Sequence, residues 1–426
     1  MPALDTAQPG SCSAPLEGST SRSHPLARSP LAARANGWLE RLWDAGICSH
    51  PSLDPEMLWE KASGLVSDGD EYAGRSERDV ADFRFRLKAL CASLSEEAAL
   101  NPLGLTFAHG QLTRVIRQRL ELGKLWRQKP EILTQPLVPP IIVVGHMRAG
   151  TTRIHRLLAV DPAHTGTRFC DSWHPCPPHT GIEPDMRPIW STLMLFVARR
   201  LDPWLDSIHP FGARRPDEEL GWLAAAFNHS AYESQWRIPS YSRMSEARDP
   251  APIYAEFARI LRTDIAFREN GDRPRILKVP QFAEDLPALL AQFPDARVVL
   301  AQRDPEDVAA SASSVVANQM AMQSDEADLA WIETECRRKI SLRQKRMDQT
   351  FAAFGGPLAK VRFEALNRDW ETQIARIYDD LGLMLTPKAL AAMRKEQGRA
   401  RSSPHHEHRK IYESFDRNRP AYSDGA

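Results

Sequence analysis

Nine consecutive residues, Val144-Gly145-His146-Met147-Arg148-Ala149-Gly150-Thr151-Thr152, gather the groups that hold a phosphate-like anion. Gly145 and Gly150 let the backbone turn tightly and come close to phosphate oxygens. Thr151 and Thr152 add hydroxyl donors, and Arg148 adds a planar cationic fork. The β-branched run Ile141-Ile142-Val143-Val144 precedes them, and Thr151 opens a helical pattern through Leu158. A loop leaving a strand and starting a helix offers free N–H groups and the positive end of the helix dipole. Gly145, Arg148, Ala149, Gly150, Thr151 and Thr152 are therefore the expected anion-binding residues. The loop is not of the Gly-x4-Gly-Lys-Ser/Thr form, because position 151 is Thr where that form needs Lys. No acidic strand end stands out to hold Mg²⁺.

A second element supports the first. Arg297-Val298-Val299-Leu300-Ala301-Gln302 reads as a strand, and Arg303-Asp304-Pro305 ends it. Asp304 is a good N-cap and Pro305 a good first helical residue. Ser311 follows Arg303 by eight residues, about two helical turns on, so both reach toward one phosphate.

These residues need a scaffold. Arg275–Val279 and Lys360–Phe363 are further strand-like runs, separated by helical patterns at 283–292, 306–319, 328–353 and 370–381. Strands alternating with helices imply an α/β fold with a mostly parallel sheet. Apolar residues at helical spacing predict a helical region over 37–130. Residues 1–36 carry five prolines and six serines and are expected to be disordered. The tail 399–426 is basic and polar, and either closes over an anionic ligand or is a solvated end.

Together the two elements resemble the sulfotransferase superfamily, which uses 3′-phosphoadenylyl sulfate (PAPS). Gly145–Thr152 is similar to its 5′-phosphosulfate loop in the bacterial Pro-Arg-Ser-Gly-Thr-Thr form. Arg303-Asp304-Pro305 with Ser311 is similar to its 3′-phosphate element. Ile276-Leu277-Lys278-Val279-Pro280-Gln281, Phe293-Pro294-Asp295-Ala296-Arg297-Val298-Val299, Ile238-Pro239-Ser240-Tyr241 and Val361-Arg362-Phe363-Glu364-Ala365-Leu366 match the same branch. The resemblance covers about 139–412, with the PAPS-binding domain at 139–398. It implies a P-loop-like three-layer fold and PAPS as co-substrate with no metal. It further implies in-line transfer of the sulfuryl group to a hydroxyl acceptor, releasing adenosine 3′,5′-bisphosphate. Arg148 and Lys278 would touch the phosphosulfate, and Arg303 and Ser311 the 3′-phosphate. His174 is the first candidate for the general base and Glu218 the second, with His209 and Asp171 behind them. The chain departs from the branch at Ala149 (usually Ser), Val279 and Phe282 (often Ser and His), Phe363 (Tyr) and His174 (often Glu).

Composition sets outer bounds. The chain has 426 residues, with 55 Lys+Arg against 55 Asp+Glu. Zero net charge argues against a surface built for nucleic acid. Six scattered cysteines fit a reducing cytoplasm. No apolar run reaches the ~20 residues that span a bilayer; the longest, Leu193–Ala198, is closed by Arg199 and Arg200. Cys170, His174, Cys176 and His179 could be read as zinc ligands, but their spacing is not standard. The competing classes are an inactive PAPS-binding protein and a P-loop kinase-like phosphotransferase. The acceptor, a small molecule, glycan or lipid, is left open.

Overall fold

Every residue of Ile141–Val144 (strand β1) is buried, as a strand covered on both faces requires. The other strands are Thr165–Gly166 (β2), Arg275–Lys278 (β3), Arg297–Gln302 (β4) and Leu358–Arg362 (β5). In this computed structural model, which describes residues 24–178 and 183–401, they form one sheet. Its order is β2-β3-β1-β4-β5, and every pair is parallel. Ile142 stands opposite both Leu277 and Val298, so β1 lies at the centre. The expected α/β class is observed.

Successive side chains of a strand point to opposite faces. Ile142, Val144, Leu277, Val298 and Leu300 therefore pack on one side of the sheet. Ile141, Val143, Ile276, Val299, Ala359 and Val361 pack on the other. The second face is covered by the helices Thr151–Ala159, Trp370–Asp380 and Pro387–Arg401 through Leu157, Leu158, Ile374, Ile377 and Met393. The first is covered by Ala251–Arg268 and Phe282–Gln292, and by the N-terminal helices. Leu87, Leu90 and Leu94 of Glu77–Glu96 share one core with Leu112, Leu122 and Trp126 of Pro102–Gln128 and with Phe257 and Leu286. The N-terminal helical region is thus one wall of the sheet's own core.

Two boundaries differ from expectation. A helix runs from Pro30 to Asp44, beginning inside the stretch expected to be disordered. Ser29 caps it by accepting from the Ala32 N–H at 3.1 Å, and Pro30 supplies the preset first-turn φ. Ala32 is then buried against Leu103, Leu201 and Met322, a tertiary contact no local pattern reveals. At the other end, the helix Pro387–Arg401 extends into the stretch expected to be a polar tail. The remainders of both stretches, 1–23 and 402–426, lie outside the described residues.

Candidate active site

The loop sits at the carboxyl end of the central strand. Gly145 has φ 150°, and a Cβ there would come within 2.4 Å of the Ala301 carbonyl oxygen, so the loop leaves β1 hard against β4. Arg148 adopts φ 67°, a left-handed conformation that L side chains reach at a cost. Gly150 has φ 86° and caps the helix Thr151–Ala159. The first N–H groups of that helix are left for a ligand.

The two sequence elements meet. Arg148 Nε donates to Ser311 Oγ at 2.9 Å, and Arg303 Nη1 donates to the Arg148 carbonyl at 2.9 Å. Asp304 caps the helix Pro305–Gln323 as expected, accepting from Glu306 N–H at 2.8 Å, and this fixes Ser311 two turns along. The Arg303 guanidinium lies 4.3 Å from the centre of the Phe363 ring, the same ring a Cβ on Gly150 would touch at 3.1 Å. Phe363, in place of the usual Tyr, thus supports both halves of the site. Burial and the neighbouring Arg303 hold the Arg148 guanidinium down to about 10. Among the described residues no carboxylate pairs with Arg148, and the nearest to Arg303 is Asp307 at 3.9 Å. Two adjacent guanidiniums, with only the exposed Asp307 near one of them, carry the charge and the donors that a multiply charged anion requires.

Lys278 ends β3 beside the same loop. Its buried ammonium donates to Thr152 Oγ1 at 3.0 Å and ion-pairs with Glu218. Its backbone N–H donates to Glu219 Oε2 at 2.8 Å, and burial pushes the Glu219 carboxyl up to about 8. Next to them, His209 Nε2 and Asp217 Oδ1 are 3.0 Å apart. Burial alone would raise the Asp217 carboxyl, but His209 and Arg156 hold it down to about 2. His155, one turn into the loop helix, is fully buried; burial and Lys278 push its imidazole well down. The run Pro216-Asp217-Glu218-Glu219 is the sequence signal for Asp217 and Glu219, and nothing local marks His155.

His174 lies elsewhere. It follows the short helix Phe169–Trp173, where Gln118 Nε2 donates to the Trp173 carbonyl at 3.0 Å. Burial, then Arg114, Arg117 and Arg187, push its imidazole down to about 4, and no bond joins it to the loop or to Lys278 among the described residues. Asp171 is buried and committed to Arg168, Arg187 and Arg268. Of the four base candidates, only Glu218 touches the Lys278 ammonium. Burial raises the thiol pKa of Cys170 and Cys176, and the fourth member of the zinc reading, His179, lies outside the described residues.

Three departures have packing explanations. Ala149 is buried in the core beside Ile141, Val143 and Leu366, and its backbone N–H donates to the His146 carbonyl at 3.1 Å. Val279 and Phe282 are buried in the opposite core, Phe282 between Tyr254 and Phe257.

A cavity opens on the other flank of the loop. His146, Met147, Trp236, Ile238, Val316, Met320 and Trp331 line it, with Glu233, Lys339 and Arg343 at its charged end. That end belongs to a buried network: Lys339 Nζ lies 2.6 Å from Glu284, 2.8 Å from Glu246 and 2.9 Å from Glu233. His229, Glu233 and Glu284 have the donor types of a metal site, but the Lys339 ammonium already sits among them, 3.0 Å from His229 Nε2.

Comparison with known proteins identifies the family and the fold. The Sulfotransferase family model matches residues 139–387, more than half of the chain. The omega-hydroxy-beta-dihydromenaquinone-9 sulfotransferase Stf3 of Mycobacterium bovis, and the same protein of Mycobacterium tuberculosis, are 27% identical over 261 residues. That span is 58% of this chain and 63% of the relatives' length. The crystal structure of sulfotransferase STF1 from M. tuberculosis aligns with a TM-score of 0.69 at 25% identity, over 85% of this chain and 99% of that one. STF9 from Mycobacterium avium aligns with a TM-score of 0.70 at 22% identity, over 81% and 87%, a likeness of fold. With the family match spanning both anion elements and the lysine between them, this chain belongs to the sulfotransferase family.

Proposed function

We propose that the protein transfers the sulfuryl group of PAPS to a hydroxyl acceptor. The observation that carries the reading is the pairing of Arg148 with Arg303 across Ser311, without a carboxylate to neutralise Arg148. A 3′-phosphate held by Arg303 and Ser311 distinguishes PAPS from ATP. The 5′-phosphosulfate would take Arg148, the hydroxyls of Thr151 and Thr152, and the first N–H groups of the loop helix.

Transfer forms a bond from the acceptor oxygen to sulfur and breaks the bond from sulfur to the bridging oxygen. The bisphosphate departs and the acceptor proton goes to a base. Lys278 sits beside Thr152, which supports a role in neutralising charge on the sulfuryl oxygens. Glu219 holds the Lys278 backbone and so positions it. Glu218 is the better supported base by position: its carboxylate meets Lys278 beside the loop, whereas no bond joins His174 to the loop or to Lys278 among the described residues. No step calls for a metal.

For the acceptor we propose a hydroxylated lipid. Met147, Trp236, Ile238, Val316, Met320 and Trp331 give the cavity beside the loop an apolar wall, and the curated relatives are named for a menaquinone acceptor. Calorimetric titration with adenosine 3′,5′-bisphosphate, against ATP and AMP, tests the donor site. Selective binding of the bisphosphate is expected, and equal binding of ATP would refute the reading. Binding without turnover of any hydroxylated acceptor would mark an inactive PAPS-binding protein.

A further inference from the structure

The helix Arg187–Leu201 is turned inside out. Toward the protein it buries Arg187, Pro188, Ser191, Leu195 and Leu201. Toward solvent it presents Ile189 (56% exposed), Trp190 (55%), Leu193 (52%) and Phe196 (53%), with Met186 and Val197 flanking them. Positions 186, 189, 190, 193 and 196–197 follow the i, i+3, i+4, i+7 rhythm of a single helix face. At a rise of 1.5 Å per residue the stripe runs about 16 Å. Six large apolar side chains on one face exceed the scattered exposure that soluble surfaces carry.

The chemistry of the rim identifies the occupant. The helix carries three arginines and no carboxylate. Arg187 is spent on Asp185 and Asp171, and Arg199 on Asp206. Arg200 is exposed, lies 5.0 Å from the Phe196 ring and pairs with no carboxylate among the described residues. Trp190 and Phe196 beside an unneutralised arginine are the composition of a helix lying in a membrane interface, its aromatic face in the acyl boundary and its cation at the headgroups. A second exposed tryptophan, Trp38, stands on the helix Pro30–Asp44, which packs against this one. No described helix is long and apolar enough to cross a membrane, so the contact is peripheral.

We propose that the Arg187–Leu201 helix docks the protein on the surface of a phospholipid bilayer, inserting Ile189, Trp190, Leu193 and Phe196. The docked helix is joined to the candidate active site by the residues that follow it: Ile208 accepts from Arg148 Nη1, and His209 meets Asp217. Docking goes beyond the transfer reading and does not depend on it.

The test is sedimentation of the full chain with vesicles of phosphatidylcholine, with and without phosphatidylglycerol. The wild type is expected to pellet with the vesicles, more completely when phosphatidylglycerol is present. The double variant Leu193→Ser, Phe196→Ser is expected to lose at least about tenfold in partitioning. Arg200→Gln should lose only the phosphatidylglycerol dependence. Vesicles of brominated lipid should quench the Trp190 emission, read as the difference between wild type and Trp190→Phe; this needs no destabilised variant. A wild type that stays in the supernatant with both vesicle types overturns the proposal. So does a stripe that supports only a concentration-dependent dimer, abolished in the double variant while vesicles are ignored. The bisphosphate titration separates the two readings. A protein that binds bisphosphate but ignores vesicles loses the docking and keeps the transfer site, and the converse result does the reverse.

Discussion

Replacing Arg303 by Ala tests the donor site most sharply, because the structure predicts a large effect on binding and a small one on stability. Arg303 gives the Arg148 carbonyl one hydrogen bond at 2.9 Å and stacks on Phe363. It also stands against the Arg148 guanidinium and helps hold it down to about 10. In the free protein the substitution removes a hydrogen bond and a like-charge contact, effects of similar size and opposite sign. Thermal stability should therefore change by no more than ~1 kcal/mol. In the complex the substitution removes a charge-assisted contact to the 3′-phosphate. Such a contact contributes about 2–3 kcal/mol, roughly 30–150-fold in affinity. AMP lacks that phosphate, so its affinity should stay within about threefold, or about 0.7 kcal/mol. Calorimetry with adenosine 3′,5′-bisphosphate and AMP on both proteins gives the four numbers, and added salt should narrow the difference. If both ligands weaken equally, Arg303 holds the loop and not the 3′-phosphate. If neither changes, the assignment of the second element is wrong.

Other substitutions separate the remaining roles. Glu218→Gln should lower turnover by about 10²–10⁴ while leaving bisphosphate affinity nearly intact, whereas His174→Gln should cost less than about tenfold; a reversed order returns the base to His174. Glu219 is raised to about 8 from an ordinary 4.5. The folded state therefore keeps a proton that the unfolded chain releases, and stability falls as pH rises from about 4.5 toward 8. Glu219→Gln should flatten that slope in urea midpoints measured across the interval, and an unchanged slope would show that Glu219 is ionised in the fold. Gly150→Ala forces a Cβ into a left-handed position 3.1 Å from Phe363. It should destabilise by about 1–2 kcal/mol and weaken bisphosphate binding, measured by thermal unfolding with and without ligand.

What the sequence reveals and what it hides divide along a physical line. Gly145, Arg148, Gly150 and the Asp304-Pro305 cap are readable because each answers to a local demand: a sign of φ, a cap, a strand end. The expected strand at 297–302 and the helices at 328–353 and 370–381 come within a residue or so of their observed ends for the same reason. Strand β2 escapes, since two residues, Thr165 and Gly166, carry no period, and only pairing with β3 makes them a strand. The sequence names both His174 and Glu218 but does not order them correctly by their distance from Lys278. Glu218 reaches Lys278 across sixty positions, and His174 is withdrawn among arginines that lie far away in the chain. The helix Arg187–Leu201 marks the limit most clearly. Its residues read as a short apolar run closed by arginines, and periodicity alone assigns the apolar face to the core. The structure turns that face outward because Arg187 finds Asp171 and Asp185 inside. Reversal is opposed because turning the helix would take from the buried Asp171 carboxylate one of the three arginines that neutralise it, Arg168 and Arg268 being the others. Charge therefore decides which way the helix faces, and the exposed stripe follows from it.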